Sequence, residues 1–300
     1  MNFPATFCRH ALVIFKPMVR NYKSTWNFSD VAATEDHFRG MLTADEASPD
    51  NLCLQTQIAR TLGLRNRFDE AHAALDNVDA VVMQLPTTVD AIEVKVRSHL
   101  ERGRVYRSSQ RTAEARPHFL AATDLAVSAQ LEELAVDAMH MVALVFDDPT
   151  ESLAWSEKAL ALALTSEDPA ARNWDASLAN NIGWTYHDAG NFDQAMVYFR
   201  TALAARERLG DPKPIHVGKW MIARTHRSLH QHAEALAILH VLDDASNEDG
   251  YVSEELAENY EALNQHDTAR PYFHRAWTKL KDDSAVDAPR LQRLQALSQA

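Results

Sequence analysis

The sequence predicts an all-α fold built from repeated pairs of amphipathic helices. Glycine is scarce, with only 8 residues in 300 against an average of roughly 7%, which favours helices joined by short turns over sheets with glycine-rich hairpins. Hydrophobic residues make up 46% of the chain and charged residues 24%, so the chain can form a core and is not a disordered polypeptide. A pattern of small and large apolar residues at helical spacing recurs along most of the chain.

The clearest copy of this pattern lies in residues 176–209. Each of its two helices places apolar or small residues on one face, and a turn at residues 189–191 separates the helices. Gly183 and Ala195 are small where paired helices must approach closely, whereas Tyr186 and Phe199 fill the space beside them. The face residues are Ala179, Ile182, Gly183 and Tyr186 in the first helix, then Phe192, Ala195, Phe199, Ala202 and Leu203 in the second.

Before the repeats, the sequence predicts a basic, flexible extension and a lead-in helix. Residues 1–27 form the extension, which contains four basic residues and no acid. An organelle transit peptide, a disordered extension and a start assigned too early all fit this composition. A lead-in helix follows, because Ser29 or Asp30 can cap the free amides of a helix that ends near Thr43.

The repeats account for about four fifths of the chain, and a short capping helix follows them. Neighbouring copies are mostly about 40 residues apart, and the register of the third copy stays open around residues 147–149. Residues 284–300 form an amphipathic helix that can cover the apolar face of the last copy. The predicted repeats lie near residues 52–83, 96–129, 135–167, 176–209, 216–248 and 250–283.

The repeated residues resemble the signature of the tetratricopeptide repeat (TPR) family. Ile182-Gly183-x-x-Tyr186 followed by Ala195-x-x-x-Phe199 is similar to that signature, although most copies exceed the family's usual spacing of about 34 residues. The resemblance implies a right-handed α-solenoid of about six helix hairpins, with a binding groove and no enzymatic activity of its own. Other copies carry Gly103, Tyr106, Ala115 and Phe119, or Ala257, Tyr260, Ala269 and Phe273.

Composition and motifs argue against several other classes of protein. The net charge is −12, which opposes nonspecific binding to nucleic acid or to anionic membranes. No glycine-rich phosphate loop or catalytic serine motif occurs in the sequence, so we expect no cofactor. His226 and His230 lie one helical turn apart, but two ligands do not make a metal site, and we expect no metal. Cys8 and Cys53 are too few for a disulfide framework, which predicts a reducing, cytoplasmic location.

The resemblance also implies which side chains line the groove. In TPR proteins, the residues three before, one after and four after the Gly183-type position usually face the ligand. The wall selected in this way is rich in arginine and tryptophan, and arginine binds carboxylates bidentately while tryptophan supplies apolar contact. The alternative is that the arginines pair with acids of adjacent helices. The candidates are Arg60, Arg104, Arg107, Asn180, Trp184, His187, Trp220, Arg224 and Arg227, with Glu254, Glu258 and Glu261 in the last copy.

These residues predict a non-enzymatic scaffold that binds an acidic, partly apolar peptide segment of a protein partner in its groove. Two alternatives remain open from the sequence. One is a regulatory sensor that binds a small acidic ligand or a signalling peptide, and the other is an accessory subunit of an enzyme complex. Neither nucleic acid nor membrane is an expected partner.

Overall fold

The computed structural model describes residues 20–243 and 249–299. Within these ranges there are fifteen α-helices, one short 3-10 helix and no β-strand, which confirms the predicted all-α class. None of these helices is both long and apolar enough to cross a membrane. The chain divides into two compact units, Met1–Trp155 and Ser156–Ala300, and each has hydrophobic clusters of its own.

Unit 1 consists of an N-terminal segment, a lead-in helix and consecutive helix pairs. The lead-in helix α1 begins after Asp30, whose carboxylate accepts a hydrogen bond from the Ala33 amide at 2.9 Å. The helix α7 includes the last residues of unit 1 and the first of unit 2. The helices are α1 Val31–Met41, α2 Pro49–Leu64, α3 Phe68–Val82, α4 Val89–Ser108, α5 Thr112–Ser128, α6 Glu132–Ala143 and α7 Pro149–Thr165.

Unit 2 contains three further helix pairs and a final single helix. The pairs are formed by α9 with α10, α11 with α12, and α13 with α14, and α15 packs on α14. In unit 1, α2 packs on α3, and α5 packs on both α4 and α6. The division into six repeats with a lead-in and a capping helix stays a prediction. The helices are α8 Pro169–Arg172, α9 Asp175–Asp188, α10 Phe192–Leu209, α11 Pro212–Ser228, α12 His232–Leu242, α13 Gly250–Ala262, α14 His266–Leu280 and α15 Ala288–Gln299.

Two of the pairs, α4–α5 and α9–α10, pack a large aromatic side chain against a glycine of the partner helix. Phe119 of α5 and Phe199 of α10 are almost completely buried, and their rings lie against Gly103 of α4 and Gly183 of α9. A Cβ atom added at Gly103 would come within 2.5 Å of the Phe119 ring, and one at Gly183 within 2.6 Å of the Phe199 ring. The small residues of the repeat are therefore required by direct contact between helices.

The tight turns between consecutive helices share one backbone conformation. In six of them a single residue adopts a left-handed conformation with φ between 57° and 76°. The residue after it donates its amide to the carbonyl five residues back, as in Arg111 N to Tyr106 O at 2.8 Å, which is the Schellman helix ending. Only one of the six residues is the glycine that this conformation favours. They are Asn66, Gln110, Gln130, Gly190, His230 and Asn264.

Candidate functional site

The candidate site of unit 2 lies on α9, α11 and α13, the first helices of its three pairs. We call these side chains the unit 2 first-helix face, and they include six of the nine predicted groove residues. Several of them contact one another directly across neighbouring helices. The face consists of Asn180, Trp184 and His187 of α9, Trp220, Arg224 and Arg227 of α11, and Glu254, Glu255 and Glu258 of α13.

Two tryptophans and an arginine form the centre of this face. The ring centroids of Trp184 and Trp220 are 6.3 Å apart, and the guanidinium carbon of Arg224 lies 5.7 Å from each of them. Trp220 is also fixed by its indole nitrogen, which donates a hydrogen bond to the Tyr251 carbonyl at 3.1 Å. All three side chains are partly exposed, so the cluster offers aromatic surface beside a cation.

The two arginines of α11 share one buried carboxylate. Arg224 Nη1 donates to Glu255 Oε1 at 2.9 Å, while Arg227 Nε donates to Glu255 Oε2 at 2.6 Å and Arg227 Nη2 donates to Oε1 at 3.0 Å. The Glu255 side chain is only 1% exposed. Burial lowers the pKa of Arg227, but the hydrogen bonds and charge of Glu255 outweigh it, so the pKa is raised. Two cations against one anion leave this group with one net positive charge.

The α9 side chains of the face are held by neighbours rather than left free. His187 Nε2 and Ser228 Oγ share a hydrogen bond of 3.0 Å, and the imidazole packs edge-on against Trp184 with centroids 5.1 Å apart. Burial, followed by the charge of Arg224, lowers the pKa of His187, so the ring is neutral at pH 7. The side-chain carbonyl of Asn180 accepts a hydrogen bond from Arg206 at 2.9 Å.

The glutamates of α13 are paired with the capping helix. Glu254 accepts two hydrogen bonds from Arg290 of α15, at 2.7 and 2.5 Å, and Glu258 pairs with Arg293. Glu261 accepts from His266 Nδ1 at 2.8 Å. The charges of Glu254 and Glu258 are thus compensated within unit 2.

The three predicted groove residues of unit 1 differ in their surroundings. Arg104 donates to both oxygens of Asp137, at 2.6 and 2.7 Å, and to Glu101 at 2.6 Å. Arg60 lies 3.9 Å from Glu101 and stacks over the Trp26 ring at 5.0 Å. Arg107 is exposed and forms no ion pair with a described residue.

Ion pairs between the first helices of consecutive repeats were not predicted by the rule that places groove residues at fixed positions relative to the Gly183-type residue. Arg104 reaches Asp137, 33 residues later, and Arg224 reaches Glu255, 31 residues later. The alternative that arginines pair with acids of adjacent helices therefore describes these two residues and Arg227. A search for opposite charges about one repeat apart would have found both acids.

Other chemically reactive side chains that the sequence singled out are held in local contacts. His226 is hydrogen-bonded to Gln231 at 2.7 Å and His232 to Asn259 at 3.0 Å, while His230 occupies a turn. Among residues 20–243 and 249–299, no group of three or more potential metal ligands occurs. Cys53 is buried, and burial raises the pKa of its thiol to about 12. Cys8 lies outside the described residues.

Comparisons with known proteins agree with this architecture. Residues 132–208 match the family model described as tetratricopeptide repeat, and no curated protein matches the sequence. Among solved structures, the apo form of RapI is 12% identical with a TM-score of 0.67, over 89% of this chain and 74% of that one.

Two further structures extend the likeness to other repeat proteins. The C-terminal part of a TPR repeat-containing protein from Cytophaga hutchinsonii is 14% identical, with a TM-score of 0.57 over 88% of this chain and 94% of that one. PilF from Pseudomonas aeruginosa is 13% identical, with a TM-score of 0.51 over 83% and 98%. At such identities the likeness shows the fold, which in repeat proteins provides extended surfaces for protein interactions. Residues 132–208 thus match the tetratricopeptide repeat, and they lie in an all-α fold of helix pairs like that of these solved repeat structures.

Proposed function

We propose that the chain is a protein-interaction scaffold and that its unit 2 first-helix face binds a polypeptide segment with an apolar side chain beside a carboxylate. The observation that carries this proposal is the cluster of Trp184, Trp220 and Arg224. Aromatic and arginine side chains dominate the binding energy of protein interfaces. Here they are partly exposed and already fixed by neighbours, so binding orders few additional side chains.

The charge of the cluster favours an acidic ligand over a basic one. Arg224 and Arg227 share only Glu255, and Arg224 uses only Nη1 in that pair. Its Nη2 has no hydrogen-bond acceptor among the described residues, so it can donate to a ligand carboxylate. The same carboxylate would lie close to two guanidinium groups, where charge-assisted hydrogen bonds are strongest.

Selection of peptides from a random library on the full chain tests this proposal. We expect the selected sequences to combine Asp or Glu with aromatic or large aliphatic residues. Fluorescence polarisation with the tightest of them should show at least a tenfold loss of affinity in Trp220→Leu and in Arg224→Gln, as is typical of interface hot spots. Arg224→Gln is preferable to Arg224→Glu, which would place a second carboxylate against Glu255 and disturb the fold.

Arg200→Gln is the matched control, because Arg200 is exposed on the second helix α10 of the same unit. It should bind as the wild type does, and circular dichroism should show equal helicity in all variants. Selected peptides without acidic residues, or peptides that bind Arg224→Gln and wild type equally, would contradict the proposal.

A further inference from the structure

The N-terminal segment of the described chain, residues 20–28, lies across the first helices of unit 1. The sequence predicted a flexible extension over residues 1–27, of which residues 1–19 lie outside the described residues. Residues 20–28 instead contact side chains of α2, α4 and α6, which we call the unit 1 first-helix face. The contacted residues of this face are Asp50, Gln57 and Arg60 of α2, Asp90, Glu93 and Arg97 of α4, and Glu133 of α6.

Three carboxylates hold the guanidinium group at the start of the segment. Arg20 pairs with Asp50 at 2.5 Å, with Asp90 at 3.0 Å and with Glu93 at 2.6 Å, and its backbone amide donates to Glu93 Oε1 at 3.0 Å. The Glu93 side chain is only 3% exposed, and Arg97 donates to the Arg20 carbonyl. Such a set of acids around one arginine is a specific receptor for a guanidinium group.

Aromatic side chains fix the rest of the segment. Trp26 donates its indole N–H to Gln57 Oε1 at 3.1 Å and lies under the guanidinium group of Arg60, 5.0 Å from the ring centroid. Tyr22 packs edge-on against Phe38 with centroids 5.9 Å apart. Between them, Lys23 Nζ lies 3.1 Å from Glu133 of α6. The segment therefore touches three successive first helices through alternating charged and aromatic side chains.

The backbone of the segment contributes little to its own order. Its regular structure is a single 3-10 turn, Lys23–Thr25. Apart from the backbone groups of Arg20 and Asn27, its contacts to the helices are made by side chains. A segment bound in this way has the character of a peptide ligand in a groove rather than of a repeat helix, which is stabilised by its backbone and by its apolar stripe.

We infer that the unit 1 first-helix face is a recognition surface for basic, aromatic polypeptide segments of the pattern Arg-x-Tyr-Lys-x-x-Trp, and that residues 20–26 of the same chain occupy it as a displaceable internal ligand. Only residues 27–30 connect this ligand to α1, so its effective concentration at the face is on the order of millimolar. An external segment of the same chemistry must compete with it. This site is separate from the one proposed in unit 2, and its ligand has the opposite charge.

A synthetic peptide of residues 20–28 tests the inference on the full chain. In the variant Arg20→Glu/Trp26→Ala the internal segment loses its two anchors, and we expect the fluorescein-labelled peptide to bind at least tenfold more tightly than it binds the wild type. The same peptide with Glu in place of Arg should bind the variant at least tenfold more weakly. A variant of native helicity that binds neither peptide, or both equally, would overturn the inference.

A measurement on the unmodified chain covers the case in which the variant does not fold. Hydrogen exchange of residues 20–28 is followed by mass spectrometry, with and without saturating isotope-labelled peptide of the same sequence. Displacement predicts faster exchange of the chain's own segment when the peptide is present. Unchanged exchange would show that the segment is a permanent part of the fold. Trp220→Leu, which tests unit 2, should leave both results unaltered and so separates the two proposals.

Discussion

Replacing Gly103 by alanine tests the packing that defines the repeat. Gly103 lies in α4 against the fully buried ring of Phe119, and an added Cβ would lie 2.5 Å from Phe119 Cε1 and 2.8 Å from Cδ1 and Cζ. Ordinary contacts between carbon atoms are about 3.5–4.0 Å. The ring or the helix must therefore move by about 1 Å, and the buried ring has little free space in which to move.

The expected effect is the sum of two opposing contributions. Alanine is favoured over glycine inside a helix by about 1 kcal/mol, whereas overpacking a core costs about 1–3 kcal/mol. Gly40 in α1 of the same unit is the matched control, because no heavy atom lies within 4 Å of its added Cβ. We therefore expect Gly103→Ala to be less stable than Gly40→Ala by about 1–3 kcal/mol.

Urea unfolding monitored by circular dichroism measures both free energies. In a Phe119→Leu background, Gly103→Ala should lower the free energy of unfolding by less than it does in the wild type, because the smaller leucine side chain relieves the close contact. Equal stability of the two alanine variants, or the absence of coupling with Phe119→Leu, would refute the claim that close approach requires glycine here. Gly183 stands in the same relation to Phe199 in unit 2, and alanine there should behave in the same way.

Three further predictions concern single side chains. Glu255→Gln should lower the free energy of unfolding by about 2 kcal/mol in urea titrations, because it removes the buried anion that Arg224 and Arg227 share. Gln110→Gly should raise it by about 1 kcal/mol, since the φ of Gln110 is 62°; an unchanged midpoint would contradict this. Burial and, to a lesser extent, the neighbouring His99 lower the pKa of His118 in the folded chain to about 4. As pH falls, the His118 side chain is therefore protonated in the unfolded chain before it is protonated in the folded chain. Stability should therefore decrease from pH 6.5 towards pH 4, and less steeply in His118→Gln.

The helix pairs were predictable because their energetics are local and periodic. Small residues such as Gly183 and Ala195 recur at fixed distances from large ones such as Phe199, and the pattern marks the buried side of each helix without knowledge of distant contacts. The burial of these residues agrees with that reading. The predicted third repeat is less regular in sequence, because the acids Asp147 and Asp148 interrupt the apolar pattern between α6 and α7.

The partners of the charged residues could not be predicted in the same way. The repeat offset places Arg104 and Arg224 on the first helices, but it does not say which acid of the next helix lies within reach. That depends on the rotation of each helix about its axis and on side-chain conformers, to which hydrophobic periodicity is insensitive. The N-terminal segment escaped prediction for a related reason. Its order comes from Arg20 and Trp26 as individual anchors, so it carries no periodic signal.

The local charge of each first-helix face depends on the ratio of carboxylates to guanidinium groups, and this ratio differs between the two faces. Around Arg20, three carboxylates of the helices meet one guanidinium group of the N-terminal segment. One of these carboxylates, Glu93, also pairs with Arg97, so the helices still contribute a net negative charge there. Around Glu255, two guanidinium groups meet one carboxylate, so the helices attract anions. The arginine-rich list predicted a single preference for acidic segments along the array, whereas the two proposals made above assign a separate preference to each unit. The peptide measurements on the two faces should accordingly respond to opposite charge substitutions in the ligand.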